Sequence, residues 1–178
     1  MDDWVPVPGS ARARLLTAAI AAFERDGYEA AGVVDIAASA GVTTGSLYHH
    51  FGSKAGLFQV VRQEMERRVR DRMEGAAAVA GAGRPGVIAA LLVGFDAALK
   101  LTAARILSDN PAGIVETVLL ETLTELAAPA PPAIAAIALG AWQSALAAAV
   151  SGGAVDDDAH TAAVRAGLAW TLGADGTP

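Results

Sequence analysis

An all-α fold in two parts is what this sequence predicts, and three observations carry the prediction. The 178 residues are 53% hydrophobic and only 18% charged, with alanine dominant, a composition that favours helix over disorder or sheet. Apolar residues recur three and four apart, and neither a strand pattern nor a repeat stands out. Ser, Gly and Pro fall where helices start and stop.

The first helix opens at Ser10, an N-cap after Pro8-Gly9, and carries Leu16, Ala19, Ile20 and Phe23 until Asp26-Gly27 ends it. A short second helix fits Val34 to Ala40, with Ile36 and Ala37 inward and Gly41 making the turn. A third follows from Thr44 to about His50. Ser53 caps a long fourth helix, whose apolar positions Leu57, Phe58, Val61, Met65 and Val69 give way to a charged surface of Arg67, Arg68, Arg70, Asp71 and Arg72. Gly75 to Gly86, rich in small residues and holding Pro85, reads as a frayed helix end, a connection and a domain boundary. Further helices are expected at Gly86 to Leu107, Pro111 to Leu126, Pro132 to Val150 and Asp156 to about Leu172, with Pro111 and Pro132 in first turns.

Composition also excludes chemistry. There is no cysteine, so disulfides, zinc-cysteine sites and thiol catalysis are out. The net charge of −6 does not suggest a nucleic-acid binder, but DNA responds to the local face it meets. The acidic N-terminus MDDWVPVPGS lacks the pattern of a secretory signal, so a cytoplasmic protein is expected. Leu126 to Val155 carries no charge, yet Pro129, Pro131 and Pro132 interrupt it and Gln143 and Ser144 lie inside what remains. A buried or interface helix is favoured there over a membrane span of about 20 apolar residues.

The stretch GVTTGSLYHHF, residues 41–51, holds the functional question. Two short helices joined by a glycine turn, between a first helix and a long one, describe a helix-turn-helix unit. Thr44 and Gly45 begin its second short helix, where small groups let backbone approach the major groove and hydroxyls can meet base edges or phosphates. Tyr48 and His49 follow one turn on, Leu47 and Phe51 face the core, and Ser53 and Lys54 would suit a phosphate. Metal binding by His49 and His50 is disfavoured, because helix neighbours point about 100° apart. No cofactor is expected. No catalytic set is expected either: HExxH, a supported Ser-His-Asp arrangement and a phosphate-binding glycine loop are all missing. His160 is read as polar surface, the arginines of the fourth helix as a solvated face interleaved with Glu66, Asp71 and Glu74, and Glu121 with Glu125 as a polar face.

The run DIAASAGVTTGSLYHHFGSKAGLF resembles the DNA-binding signature of the tetracycline-repressor (TetR) family. Ile36, Ala37, Ala40, Gly41, Val42, Gly45, Leu47, Tyr48, His50, Phe51, Ser53, Lys54 and Leu57 match it, as do Phe23 and Gly27-Tyr28 upstream. ILSDNPAG at 106–113 resembles a loop in some members' ligand domains. Two departures are the loss of the usual threonine cap of the second helix, around Gly32-Val33, and sparse basic residues.

The resemblance implies an N-terminal three-helix helix-turn-helix DNA-binding domain, residues 1–54, and a C-terminal helical ligand-binding and dimerisation domain, residues 55–178. By position, Thr43, Thr44, Gly45, Tyr48 and His49 would face the groove, and Ser46, Tyr48, His50 and Lys54 would touch phosphates. The partners implied are a double-stranded DNA operator, a second copy of the chain and a small apolar inducer. Expected pocket residues are Phe95, Leu99, Ile106, Leu119 and Leu123, with Asp96 or Arg105 as polar anchors. The dimer surface is expected on the last two long helices, with Trp142, Leu146, Leu168 and Trp170 as its larger contacts. The alternatives are an adaptor that has lost DNA binding and an enzyme using Glu121 and Glu125.

Overall fold

The computed structural model describes residues 9–109, 111, 117–151 and 158–173, which hold nine helices and no strand. The first, α1 (Ala11–Ala30), starts where Ser10 Oγ accepts the Ala13 N–H at 3.2 Å. Its path breaks at Gly27, whose φ of 79° suits glycine alone. The break brings Tyr28 back against Phe23 and Phe58, with both Phe23–Phe58 and Tyr28–Phe58 centroids 5.0 Å apart. The expected end of the first helix at Asp26-Gly27 is thus a kink followed by one more turn.

Next come α2 (Val33–Ser39), α3 (Thr44–Phe51) and α4 (Lys54–Ala80). Gly32 precedes α2 with no side-chain cap, as the missing threonine predicts. Gly41, at φ 63°, makes the turn into α3, and Val42 N–H closes on Ala37 O at 3.0 Å. Arg14 Nε donates to Ala40 O at 2.9 Å, which pins that turn to α1.

The chain divides into two compact units within α4, Met1–Arg62 and Gln63–Pro178. The start of α4 therefore sits in the first unit rather than beyond a division at residue 54, because Leu57, Phe58 and Val61 are buried in that unit's core. Leu15, Leu16, Ala19, Phe23, Ile36 and Leu47 fill the rest of it. Each such large side chain contributes about 1.5–3 kcal/mol on burial, against about 0–1 kcal/mol for an exposed ion pair. Apolar packing, not surface charge, sets how α3 lies.

The second unit holds the rest of α4, then α5 (Arg84–Lys100), α6 (Ala104–Ser108), α7 (Val118–Ala127), α8 (Pro132–Ser151) and α9 (Asp158–Leu172). Its core includes Met65, Val69, Met73, Leu91, Phe95, Ile106, Leu119, Leu123, Trp142 and Leu146. Met73 packs so closely on Gly94 that a Cβ there would strike its side chain.

Several expectations need correction here. The connection after α4 is Gly81–Gly83 alone, since helix runs through Gly75 to Ala80 and Pro85 lies in the first turn of α5. The single helix expected from Gly86 to Leu107 is two, parted at Thr102, which takes a positive φ of 52°. No glycine or proline marks that break. The helix expected from Pro111 begins only at Val118, where Thr117 Oγ1 accepts the Leu120 N–H at 3.2 Å; residues 112–116 lie outside the described residues, as does part of the 106–113 loop. Glu66, expected in solvent, is buried, as are Arg62 and Glu64; Arg68 Nε reaches the Glu64 carboxylate at 2.7 Å.

Most consequentially, Trp142, Leu146 and Leu168 are covered by the chain's own helices. Among the four expected interface side chains only Trp170, 74% exposed, points outward. The physical reason is size: on alanine-rich helices the bulkiest side chains of one face fill the core, although Ile134 and Ile137 of α8 stay outside it.

Candidate nucleic-acid interface

The residues of α3 fall on four lines, one turned toward the core and three turned outward. At about 100° per residue, residues four apart share a line along the helix. Leu47 is buried and Phe51 half-buried below it, and together they seat the helix. Gly45 and His49 then form the outward crest, with Thr44 and Tyr48 on one shoulder and Ser46 and His50 on the other. Gly45, Tyr48, His49 and His50 are exposed, and Thr44 and Ser46 are half-buried.

Thr43 begins the helix. Its Oγ1 accepts the Ser46 N–H at 3.2 Å, so this residue, expected to face a groove, also caps α3. The two histidine rings lie 5.4 Å apart at an interplanar angle of 66°. Among the described residues no cluster of His, Cys, Asp or Glu could hold a metal ion.

Gly45 has no structural need to be glycine. A Cβ there would meet only Thr43 Oγ1 at 3.6 Å, an ordinary contact, and the helix geometry suits any residue. Glycine inside a helix costs about 1 kcal/mol relative to alanine. A bare crest is useful when something outside must come close to the backbone. Gly56 is the opposite case, since a Cβ there would collide with Phe51 O where α4 crosses the end of α3. That glycine serves the fold.

Two cations flank the far end of α3. Lys54 Nζ lies 4.7 Å from the Tyr28 ring centroid and donates to Glu29 O at 3.0 Å. Arg12, at the start of α1, stacks over the Phe51 ring at 5.5 Å. Lys54 was expected from the sequence, whereas Arg12 was not, because only the folded chain brings residues 12 and 51 together. Ser53 Oγ accepts the Gly56 N–H at 2.9 Å and caps α4 as expected.

The residues expected to line a ligand pocket are arranged differently. Phe95, Ile106, Leu119 and Leu123 are buried core, while Leu99 and Arg105 are half-buried. Asp96 is engaged by Arg165 Nε at 2.7 Å. That hydrogen bond and the Asp96 charge raise the Arg165 guanidinium above its ordinary value. A raised cation keeps its contribution until pH passes that high value, so Arg165 adds no pH dependence near neutrality. Both side chains are more than a third exposed, which limits the pair to a few tenths of a kcal/mol.

Residues 15–61 match the family profile described as bacterial regulatory proteins, tetR family. The HTH-type transcriptional regulator UidR of Escherichia coli K12 is 37% identical over 79 residues, 42% of this chain and 40% of UidR. The HTH-type transcriptional repressor KstR2 of Mycolicibacterium smegmatis is 46% identical over 57 residues, 32% of this chain and 28% of KstR2. The matched stretches thus span well under half of these relatives. A crystal structure of a TetR-family transcriptional regulator from Pectobacterium atrosepticum superposes with a TM-score of 0.65 at 26% identity, covering 90% of this chain and 91% of the other.

Proposed function

We propose that this chain, which belongs to the TetR family of bacterial regulatory proteins, binds a pseudo-palindromic DNA operator as a homodimer and releases it when a small apolar ligand binds the second unit. The proteins it matches are named as transcriptional regulators, and an enzyme built on Glu121 and Glu125 gives way to that reading. Both carboxylates lie exposed on α7.

The bare crest of α3 carries the proposal. Gly45 lets the backbone approach base edges, Thr44 and Tyr48 offer hydroxyls on one side, and His49 lies one turn along. Ser46, His50 and Lys54 border the face and supply phosphate contacts. Few cations surround it, so non-specific affinity is modest and specificity rests on the crest.

The dimer surface is assigned to the outward arcs of α8 and α9. On α8 these are Ala133, Ala136, Gly140 and Ser144; on α9 they are Ala162, Ala163, Ala166, Gly167 and Trp170, all exposed. The most apolar window of α8 has a mean hydropathy of 1.7 but is only 28% buried. It is long and apolar enough to cross a membrane, and a second copy of the chain would cover it instead. Two α3 helices would then be held at a fixed separation, which sets the half-site spacing. A ligand shifts such an assembly only through its differential affinity for the released state.

Selection from a random duplex library tests the reading. Enrichment of a two-fold site is the expected outcome. Retention of no sequence by the folded protein would favour the adaptor alternative.

A further inference from the structure

The second unit has an open apolar groove of about 440 Å³, within the range of small-molecule sites. Val87 and Ile88 of α5 form one wall, Ile134, Ile137 and Ala138 of α8 the other, and Leu172 of α9 closes one end. None of the residues expected from the sequence to bind a ligand lines it. On α8 the groove residues Ile134, Ile137, Ala138 and Ala141 centre roughly 130° around the helix from Ala136 and Gly140, and Ile137 borders the small stripe beside Ala133 and Ser144. Ile137 is 71% exposed there, a large aliphatic side chain that the fold leaves uncovered.

Two polar side chains, Arg84 and Thr171, line it. Arg84, exposed in the first turn of α5, lines the groove, and its Nη2 donates to Leu172 O at 3.2 Å. Gly173 makes room for it, because a Cβ on that residue would occupy the position of Arg84 Nη2. No carboxylate pairs with Arg84 among the described residues. Among the described residues its partner is that backbone carbonyl, which leaves further N–H donors for an anion.

We infer that this groove binds an amphiphile with a carboxylate head and an unbranched apolar tail, the head on Arg84 and the tail along Ile88, Ile134 and Ile137. Charge complementarity selects this occupant over a neutral apolar one. Burying the tail supplies most of the affinity, and the guanidinium fork fits a carboxylate with two parallel hydrogen bonds. The inference names the ligand class for the response proposed above and rests on that reading for its regulatory meaning.

The test uses the full-length chain and dodecanoate below its micelle-forming concentration, with 1-dodecanol as the neutral match, both followed by calorimetry. Dodecanoate should bind once per chain. Arg84→Gln should weaken dodecanoate about tenfold, the loss of a charge-assisted contact, and leave dodecanol within about twofold. Ala141→Trp, filling the groove, should abolish binding of both; a helical melt checks that this variant folds, and Arg84→Gln decides the matter if it does not. Unchanged dodecanoate affinity in Arg84→Gln overturns the inference. So does a lack of dodecanoate binding by the unchanged chain, and groove substitutions that also turn a dimer into a monomer would make the groove a seam between subunits. Because binding is measured without DNA, failure to select an operator would refute the DNA reading separately, leaving the groove result intact.

Discussion

The outer faces of α3 and α8 are both bare, and they are bare in different ways. Each places a glycine on an exposed helical surface where the fold does not require one: a Cβ at Gly45 would meet a single hydroxyl, and one at Gly140 would meet nothing. Around Gly45 stand hydroxyls, imidazoles and a phenol; around Gly140 stand Ala136, the exposed Ile137, Gln143 and Ser144. Small size admits a close neighbour in both places, and the surrounding chemistry says which kind. Hydrogen-bonding groups suit a base edge, whereas a mostly apolar surface of small residues bordered by Ile137 suits another helix.

The largest test of that contrast falls on α8. Gly140→Glu should place two like charges at the proposed subunit contact and raise the dimer dissociation constant by about a hundredfold or more, with little change in the melting temperature of the monomer. Sedimentation at micromolar concentration reads it, and an unchanged dimer would remove α8 from the interface.

Gly45→Ala should act on the other face with two opposite signs. The helix gains up to about 1 kcal/mol of stability, while operator affinity falls about tenfold or more because the backbone can no longer approach. A gain in both would show that nothing docks on the crest.

A smaller effect is expected at the border. Lys54→Ala should weaken binding to all sequences alike, by about severalfold at physiological salt, and reduce the slope of log affinity against log salt by about 1. Loss of sequence preference instead would move Lys54 onto the reading face. The smallest change lies on neither face. Thr102→Gly should stabilise the protein by about 1 kcal/mol, since a β-branched residue is strained at a φ of 52°, without altering assembly or operator binding. A destabilised variant would mean that the Thr102 side chain supports the α5–α6 turn.

The first unit was legible because its signals are local. Ser10, Thr43 and Ser53 cap their helices, Gly41 turns the chain, and Leu47 with Phe51 fixes which side of α3 is inward. What escaped was long-range, such as Arg12 over Phe51. The second unit was harder to read for a physical reason. When a helix is alanine on every side, periodicity of polarity cannot say which side is buried, and bulk has to say it instead. Leu139, Trp142 and Leu146 share one line on α8 and all turn inward, although Trp142 and Leu146 resemble interface anchors when read singly. The division at Thr102 had no sequence marker, and the groove beside Arg84 needs α5, α8 and α9 together.

The open surroundings of Gly45 have a genetic consequence. In the proposed dimer, a chain changed at that residue alone would still fold and still find a partner subunit, so in a cell that also makes the unchanged chain many assemblies would be mixed. One functional head cannot supply the joint binding that two provide at a two-fold site. Variants at Gly45 should therefore be dominant, silencing the unchanged copy by pairing with it, whereas variants such as Gly140→Glu, unable to pair, should be recessive.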